Sequence, residues 1–162
     1  MAVIGTPRVF QKKFSFIVEI EGFTSAAFTK MSAIEAEIAK VEQWQGGTLI
    51  SDKSPGRVTT SDVTLERGVS SRNFDMWNWW LDVVRMSAGV GDGGSGLGLV
   101  DPFYKRQVEL IQLDRSGAEL RSWTLEGAWP TKMVVGDWDN EADENVIEML
   151  TLTFDTFDPR GI

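Results

Sequence analysis

Residues 73–87, NFDMWNWWLDVVRMS, carry three of the chain's seven tryptophans on a stretch whose spacing predicts one amphipathic helix. At about 100° per residue, Asn78, Asp82, Arg85 and Asp75 crowd into an arc of roughly 80°. Phe74, Trp77, Leu81, Val84 and Trp80 form the expected core stripe, while Met76, Trp79, Val83 and Met86 extend apolar surface around most of the remainder. A surface helix of an ordinary monomer needs an apolar stripe of only about 100° or a little more. The second face therefore needs a cover, either from a domain that encloses its helix on two sides or from another subunit. Tryptophan is enriched in buried interfaces, which makes Trp79, Val83 and Met86 the candidate intersubunit face.

A chain of 162 residues with 42% hydrophobic and 25% charged side chains fits a single globular domain spanning 1–162. No apolar run approaches the roughly 20 residues of a membrane span, and the N-terminal stretch lacks the long h-region of a secretory signal. Cysteine and histidine are both absent. That removes disulfides, thiol chemistry and every histidine-dependent triad, along with the commonest general base and metal ligand. The net charge of −8 argues against nucleic acid binding across the outer surface. The charge is uneven: Arg8, Lys12 and Lys13 are the only charged side chains before Glu19, whereas 137–158 holds eight acids and no Lys or Arg. A basic head and an acidic tail can meet within one molecule or between neighbours.

Residues 10–22 alternate Phe10, Phe14, Phe16, Val18 and Ile20 on one face, a half-buried strand ended by Gly22. The pattern returns at 33–44 through Ile34, Ala36 and Ile38. Residues 45–57 read as a loop with a Gly-Gly and a Pro-Gly turn, and 58–67 as one strand rich in β-branched residues. Ser70, Ser71 or Asn73 can cap the helix. The stretch 89–102 is a glycine-rich insert, mobile unless a partner orders it. Strands at 103–113 and 118–126 flank a hairpin turn at Asp114–Gly117, Trp129-Pro130 breaks the run, and 146–157 forms the final strand. Six or seven strands around one helix imply an α+β, mainly antiparallel β-barrel or sandwich.

Chemistry-bearing motifs are weak. Asp137, Asp139, Glu141, Asp143, Asn145 and Glu148 fall at the ligand positions of an EF-hand loop, but Ala142 stands where the sharp turn wants glycine. A soluble calcium-dependent binding module is the reading this allows from a different class; a solvated acidic loop is the plainer one. The sequence KSPGR (53–57) lacks the spaced glycines of a phosphate cradle, and no acid pair stands out for hydrolysis. No catalytic, cofactor or metal residue is assigned.

Several segments taken in order do carry a resemblance: FSFIVEIEG, AFTKMSAIEAEIAKVEQWQGG, KSPG, a strand ending in TLERG, the helix with MWNWW, then AWPTK and NVIEMLTLTFD. From about Phe14 to Phe157 the chain resembles the tail tube proteins of contractile-tailed phages and phage-derived contractile injection systems. Haemolysin-coregulated protein of type VI secretion shares that architecture. The resemblance implies a small β-barrel or sandwich with one flanking α-helix. Its subunits join sheets edge to edge into hexameric rings, which stack into a hollow, non-enzymatic tube propelled by sheath contraction. The implied partners are further copies of the chain, the sheath protein, baseplate or tube-initiator proteins, and DNA or protein cargo in the lumen. Assembly is expected in the bacterial cytoplasm, within a phage tail or a released particle. A tube-initiator or other specialised baseplate ring is the alternative within the class.

By position, Gln45–Arg57 resembles the family's stacking loop, with Gln45, Gly46, Gly47, Lys53, Pro55, Gly56 and Arg57 as the ring-to-ring contacts. Lys12 and Lys13 are expected to assist stacking against the acidic tail. The insert at about 89–102 departs from the family pattern and is expected to decorate the outer surface, contact a sheath or mark a specialised ring.

Overall fold

The long strand β7 (Glu119–Val135) spans 17 residues and organises everything around it. The computed structural model describes residues 15–23, 28–69, 73–87 and 104–161. Lys12, Lys13, Phe10, Phe14, Ser70, Ser71 and the glycine-rich stretch 89–102 lie outside them. In chain order the elements are β1 (Phe16–Ile20), β2 (Lys30–Met31), β3 (Ala36–Gln43), β4 (Asp52–Thr60), β5 (Val63–Gly68), α1 (Asp75–Ser87), β6 (Arg106–Leu113), β7, β8 (Ile147–Thr153) and β9 (Thr156–Gly161). Strands β1-β6-β7-β8-β5-β2 run in that spatial order, with β9 joined to β7, and every pairing is antiparallel. The fold class is therefore α+β, mainly antiparallel β, as the sequence implies. The sheet itself remains open.

Along its first half β7 pairs with β6 on one side and β9 on the other. From Trp129 onward it pairs with β8. The change of partner coincides with a register shift between Pro130 and Lys132 and with Gly127 at φ 67°, where an added Cβ would fall 2.2 Å from the Asp155 carboxylate. Bulges and positive-φ glycines bend a strand in this way. Two layers result, β1-β6-β7-β9 and the end of β7 with β8-β5-β2. They share one core: Val18, Ile20, Val108 and Leu125 from the first, Val63, Leu65, Leu150 and Leu152 from the second, Met76 and Trp79 from the helix.

The predicted alternation holds for β1, where Val18 and Ile20 are buried and Phe16 packs against the core. The turn between β6 and β7 also forms as expected, with the Asp114 amide donating to the Ala118 carbonyl at 2.7 Å and Gly117 at φ 82°. Four expectations are corrected. Residues 52–60 are strand, so Pro55-Gly56 makes no turn. The run 58–67 breaks at Ser61-Asp62 into two strands of different sheets. Trp129-Pro130 does not end β7, because the bulge there accommodates the missing amide. The final run 146–157 divides at Phe154-Asp155 into β8 and β9.

The helix is rotated from the expected register. Asn73 caps it, its Oδ1 accepting from the Asp75 amide at 3.1 Å. Met76 and Trp79 are the buried residues, with Val83 packed against the core, while Phe74, Trp77 and Val84 face outward. Trp79 is 0% exposed. Its indole N–H donates to the Tyr104 carbonyl at 2.8 Å, its ring meets Phe23 edge-on at 5.8 Å, and the Arg106 guanidinium lies 5.5 Å from its centroid. A tryptophan needs such an N–H acceptor when buried, and the Tyr104 carbonyl supplies it. Truncating Trp79 to Ala should cost the unassembled subunit about 3–5 kcal/mol in denaturant unfolding. Trp77→Ala, on the outer stripe, should change it by about 0.5 kcal/mol or less.

Candidate functional site

β3 and β4 form a two-stranded sheet of their own. Nine residues of β4 make an arm of about 30 Å at strand rise. Ile38 stands opposite Val58 and Val41 opposite Ser54, with a register shift between Ile38 and Lys40. Gly56 sits beside that irregularity, where an added Cβ would meet the Ala39 carbonyl oxygen at 2.8 Å. The base of the arm is tied by the Ser61 amide donating to Glu35 O at 3.0 Å and by Thr60 Oγ1 donating to Phe154 O at 3.3 Å. At the tip, Gly47 takes φ 89° and the Thr48 hydroxyl donates to Gln45 O at 2.8 Å.

All seven residues expected in the stacking loop lie on this arm, in two different settings. Gln45, Gly46 and Gly47 form the turn. Lys53, Pro55, Gly56 and Arg57 are strand residues, Lys53 facing Glu42 and Pro55 facing Lys40 across the ladder. Pro55 is tolerated because a two-stranded ribbon leaves half of each strand's amides without a ladder partner. Sequence reasoning missed the tip's apolar content. Leu49 is 98% exposed and Ile50 83%, beside exposed Trp44. Bulky apolar residues next to a Gly-Gly turn were the available signal. Isolated hairpins are marginal in water, and contiguous exposed apolar surface marks an interaction site.

Of the three residues expected on an intersubunit face, Val83 and Met86 line one groove, and Trp79 is buried away from it. Trp79 belongs to the core and Val83 packs against it. Met86 and Val83 line an apolar groove of about 600 Å³ with Trp80, Tyr104, Trp129 and Pro130. Phe74, Trp77 and Val84 form an exposed apolar helix stripe. Beside the groove, Lys105 donates to Asp155 at 2.8 Å, and that carboxylate raises the exposed Lys105 amine above the usual lysine range.

The acidic loop leaves Asp137, Asp139, Glu141, Asp143 and Asn145 exposed. Among the described residues no group of three or more carboxylates gathers to hold a metal ion. Glu148, the twelfth position of the EF-hand pattern, lies on β8 and accepts from Arg67 Nε at 3.1 Å in a buried ion pair. Strand geometry carries its carboxylate away from the loop.

Strand edges complete the inventory. Among the described residues β1 pairs only with β6, β9 only with β7, and β2 only with β5. Unpaired edges are templates for strand addition. An arm with an apolar tip, open sheet edges and an exposed helix stripe are the surfaces that the described residues leave without a packing partner.

The family model of the T4-like virus tail tube protein gp19 matches residues 12–158. The chain belongs to that family of tail tube proteins. No curated protein sequence matches it. Among solved structures, it is similar to a chain of the sheath-tube complex of an extracellular contractile injection system in the extended state. There the identity is 18%, the TM-score is 0.75, and 94% of this chain and 92% of the other are covered. A chain from the tube-terminating cap of the anti-feeding prophage matches at 21% identity and TM-score 0.78, with 100% of both chains covered. Hcp1 from Flavobacterium johnsoniae matches at 12% identity and TM-score 0.52, covering 91% of this chain and 96% of that one. At these identities the neighbours establish the fold, and the family model establishes that the tail tube protein extends over nearly all of the chain.

Gly56→Val should splay the arm while leaving the core alone, because the clash is with Ala39 in the opposite strand. Stability of the subunit should change by about 0.5 kcal/mol or less, while sedimentation should show assembly lost.

Proposed function

We propose that this tail tube protein is the repeating subunit of a contractile particle's inner tube. The two-stranded arm carries this reading. It is a costly structure for a lone molecule, and it makes sense as a contact to another copy. Edge-to-edge pairing of β1 and β9 between neighbours would close a ring, hexameric by the family resemblance, and would remove edges that invite aggregation. The arm, through Trp44, Leu49, Ile50 and the turn Gln45–Gly47, then reaches the next ring. Phe74, Trp77 and Val84 gain cover on assembly. Interfaces of this obligate kind bury about 2,000 Å² or more.

In this reading the whole chain is one tube domain, and its work is mechanical. A sheath drives the tube into a target envelope, a baseplate or initiator ring nucleates it, and cargo leaves through the lumen. The subunit catalyses nothing. The particle is a phage tail or an extracellular injection machine assembled inside the producing cell.

Negative-stain microscopy of the purified chain tests the proposal. Long hollow tubes formed by the chain alone are expected. Tubes that grow only after baseplate proteins are added would identify a specialised initiator ring instead. The double substitution Leu49→Asp with Ile50→Asp should leave the subunit folded and stop stacking, so that micrographs show single rings or dispersed subunits. Unchanged tube length in that variant would remove the arm from the stacking contact.

A further inference from the structure

The two layers part at the root of the arm. Phe16, Leu110 and Trp123 form one wall of a cleft there, Met31 and Ala33 the other, and the cleft holds about 320 Å³. Phe16, Met31 and Leu110 also pack against the core, so the cleft is an open extension of it. The second wall is fixed to β5: the Ser32 amide donates to the Thr64 carbonyl at 2.9 Å, and the Ser32 hydroxyl accepts from the Thr64 amide at 2.8 Å. Just beyond Ala33 the chain enters β3, the first strand of the arm. The occupant of this cleft therefore sets the spacing between the four-stranded layer and the arm.

The chain's own N-terminal segment arrives at the mouth of the cleft. The Ser15 carbonyl accepts from the Leu113 amide at 2.9 Å, and β6 then gives way to the turn at Asp114–Gly117. Beyond Ser15 the ladder offers no further residue of β6. In sequence, Phe10 and Phe14 continue the even-numbered alternation whose later members Phe16, Val18 and Ile20 face the core. A cavity of about 150 Å³ accommodates one benzene ring, so the volume at the arm's root matches two phenyl rings. The six residues from Phe10 to Phe16 reach at most about 20 Å, which keeps both rings close to the wall that Phe16 begins. Tethering over so short a length gives them an effective concentration on the order of millimolar, which a segment of another molecule has to outcompete.

We propose that Phe10 and Phe14 of the same chain fill the cleft between Phe16 and Ala33, and that the N-terminal segment is thereby a strap that holds the arm in the direction assembly needs. The occupancy stands by itself, whereas its effect on assembly rests on the tube reading above. The chain has no cysteine, so pairs of introduced thiols report proximity. In dissociated subunits treated with diamide, Lys12→Cys with Ala33→Cys should close a disulfide within one chain. Lys12→Cys with Ser116→Cys, directed at the exposed turn beside the same exit, should close about tenfold more slowly, because its Cα atoms are not held within bonding range. Equal rates for the two pairs would overturn the proposal. A product of doubled mass would give the cleft to a second copy and overturn it as well.

Adding Phe10→Ser and Phe14→Ser should bring the Ala33 pair down to the rate of the Ser116 pair, whereas Val3→Ser with Ile4→Ser should leave it unchanged. Cooperative unfolding shows that the phenylalanine variant is folded, and Phe10→Ser alone, the milder change, should give an intermediate rate. An unchanged rate in either phenylalanine variant would overturn the proposal. Without the engineered thiols, Phe10→Ser with Phe14→Ser should yield fewer tubes in micrographs; wild-type numbers of tubes would overturn the strap's part in assembly. Absence of tubes from the wild-type chain would instead defeat the tube reading and leave the disulfide result standing, so the two failures are separable.

Discussion

Backbone hydrogen bonding along β7 is the interaction on which the rest of the structure depends. Over 17 residues this strand satisfies its amides first against β6 and β9, then against β8. Because it crosses both layers, it holds two sheets over one core, in a chain with no cysteine for a disulfide. Gly127 and the bulge beside Pro130 let it turn between layers. The helix then closes one end of the core through Trp79, whose position is fixed by its bond to the Tyr104 carbonyl.

What β7 does not do is finish the sheet. Among the described residues the layer it anchors ends at β1 and β9, and the arm β3–β4 forms a sheet separate from both layers. Exposed edges, an apolar arm tip and the Phe74–Trp77–Val84 stripe each leave a subunit with surface that water covers poorly. These surfaces differ in chemistry, which assigns them different jobs. In the proposed tube, backbone edges would set lateral register and the arm would supply reach.

Much of this was legible in the sequence. The alternation of Phe16, Val18 and Ile20 marked β1 and its inner face, and Asp114–Gly117 marked the turn between β6 and β7. The surplus apolar surface of the helix was also visible, but its orientation was not. Two arcs, Phe74-Trp77-Leu81-Val84 and Met76-Trp79-Val83-Met86, are equally greasy, and periodicity alone cannot say which one finds the Tyr104 carbonyl. Proline misled twice for one reason: Pro55 and Pro130 read as breakers, yet each sits where the ladder does not need its amide. The arm's independence was hidden too, because alternation in β3 looks the same whether its apolar face meets a core or another molecule. The cleft between Phe16 and Ala33 required the packing of two layers, which a linear sequence does not contain.

Amide hydrogen exchange on assembled tubes and on dissociated subunits tests most directly whether sister copies complete this fold. The account predicts that amides of β1, β9 and the β3–β4 arm exchange quickly in the subunit and become protected on assembly, while those of β7 are slow in both. Equally fast exchange at β1 and β9 in the two states would contradict it.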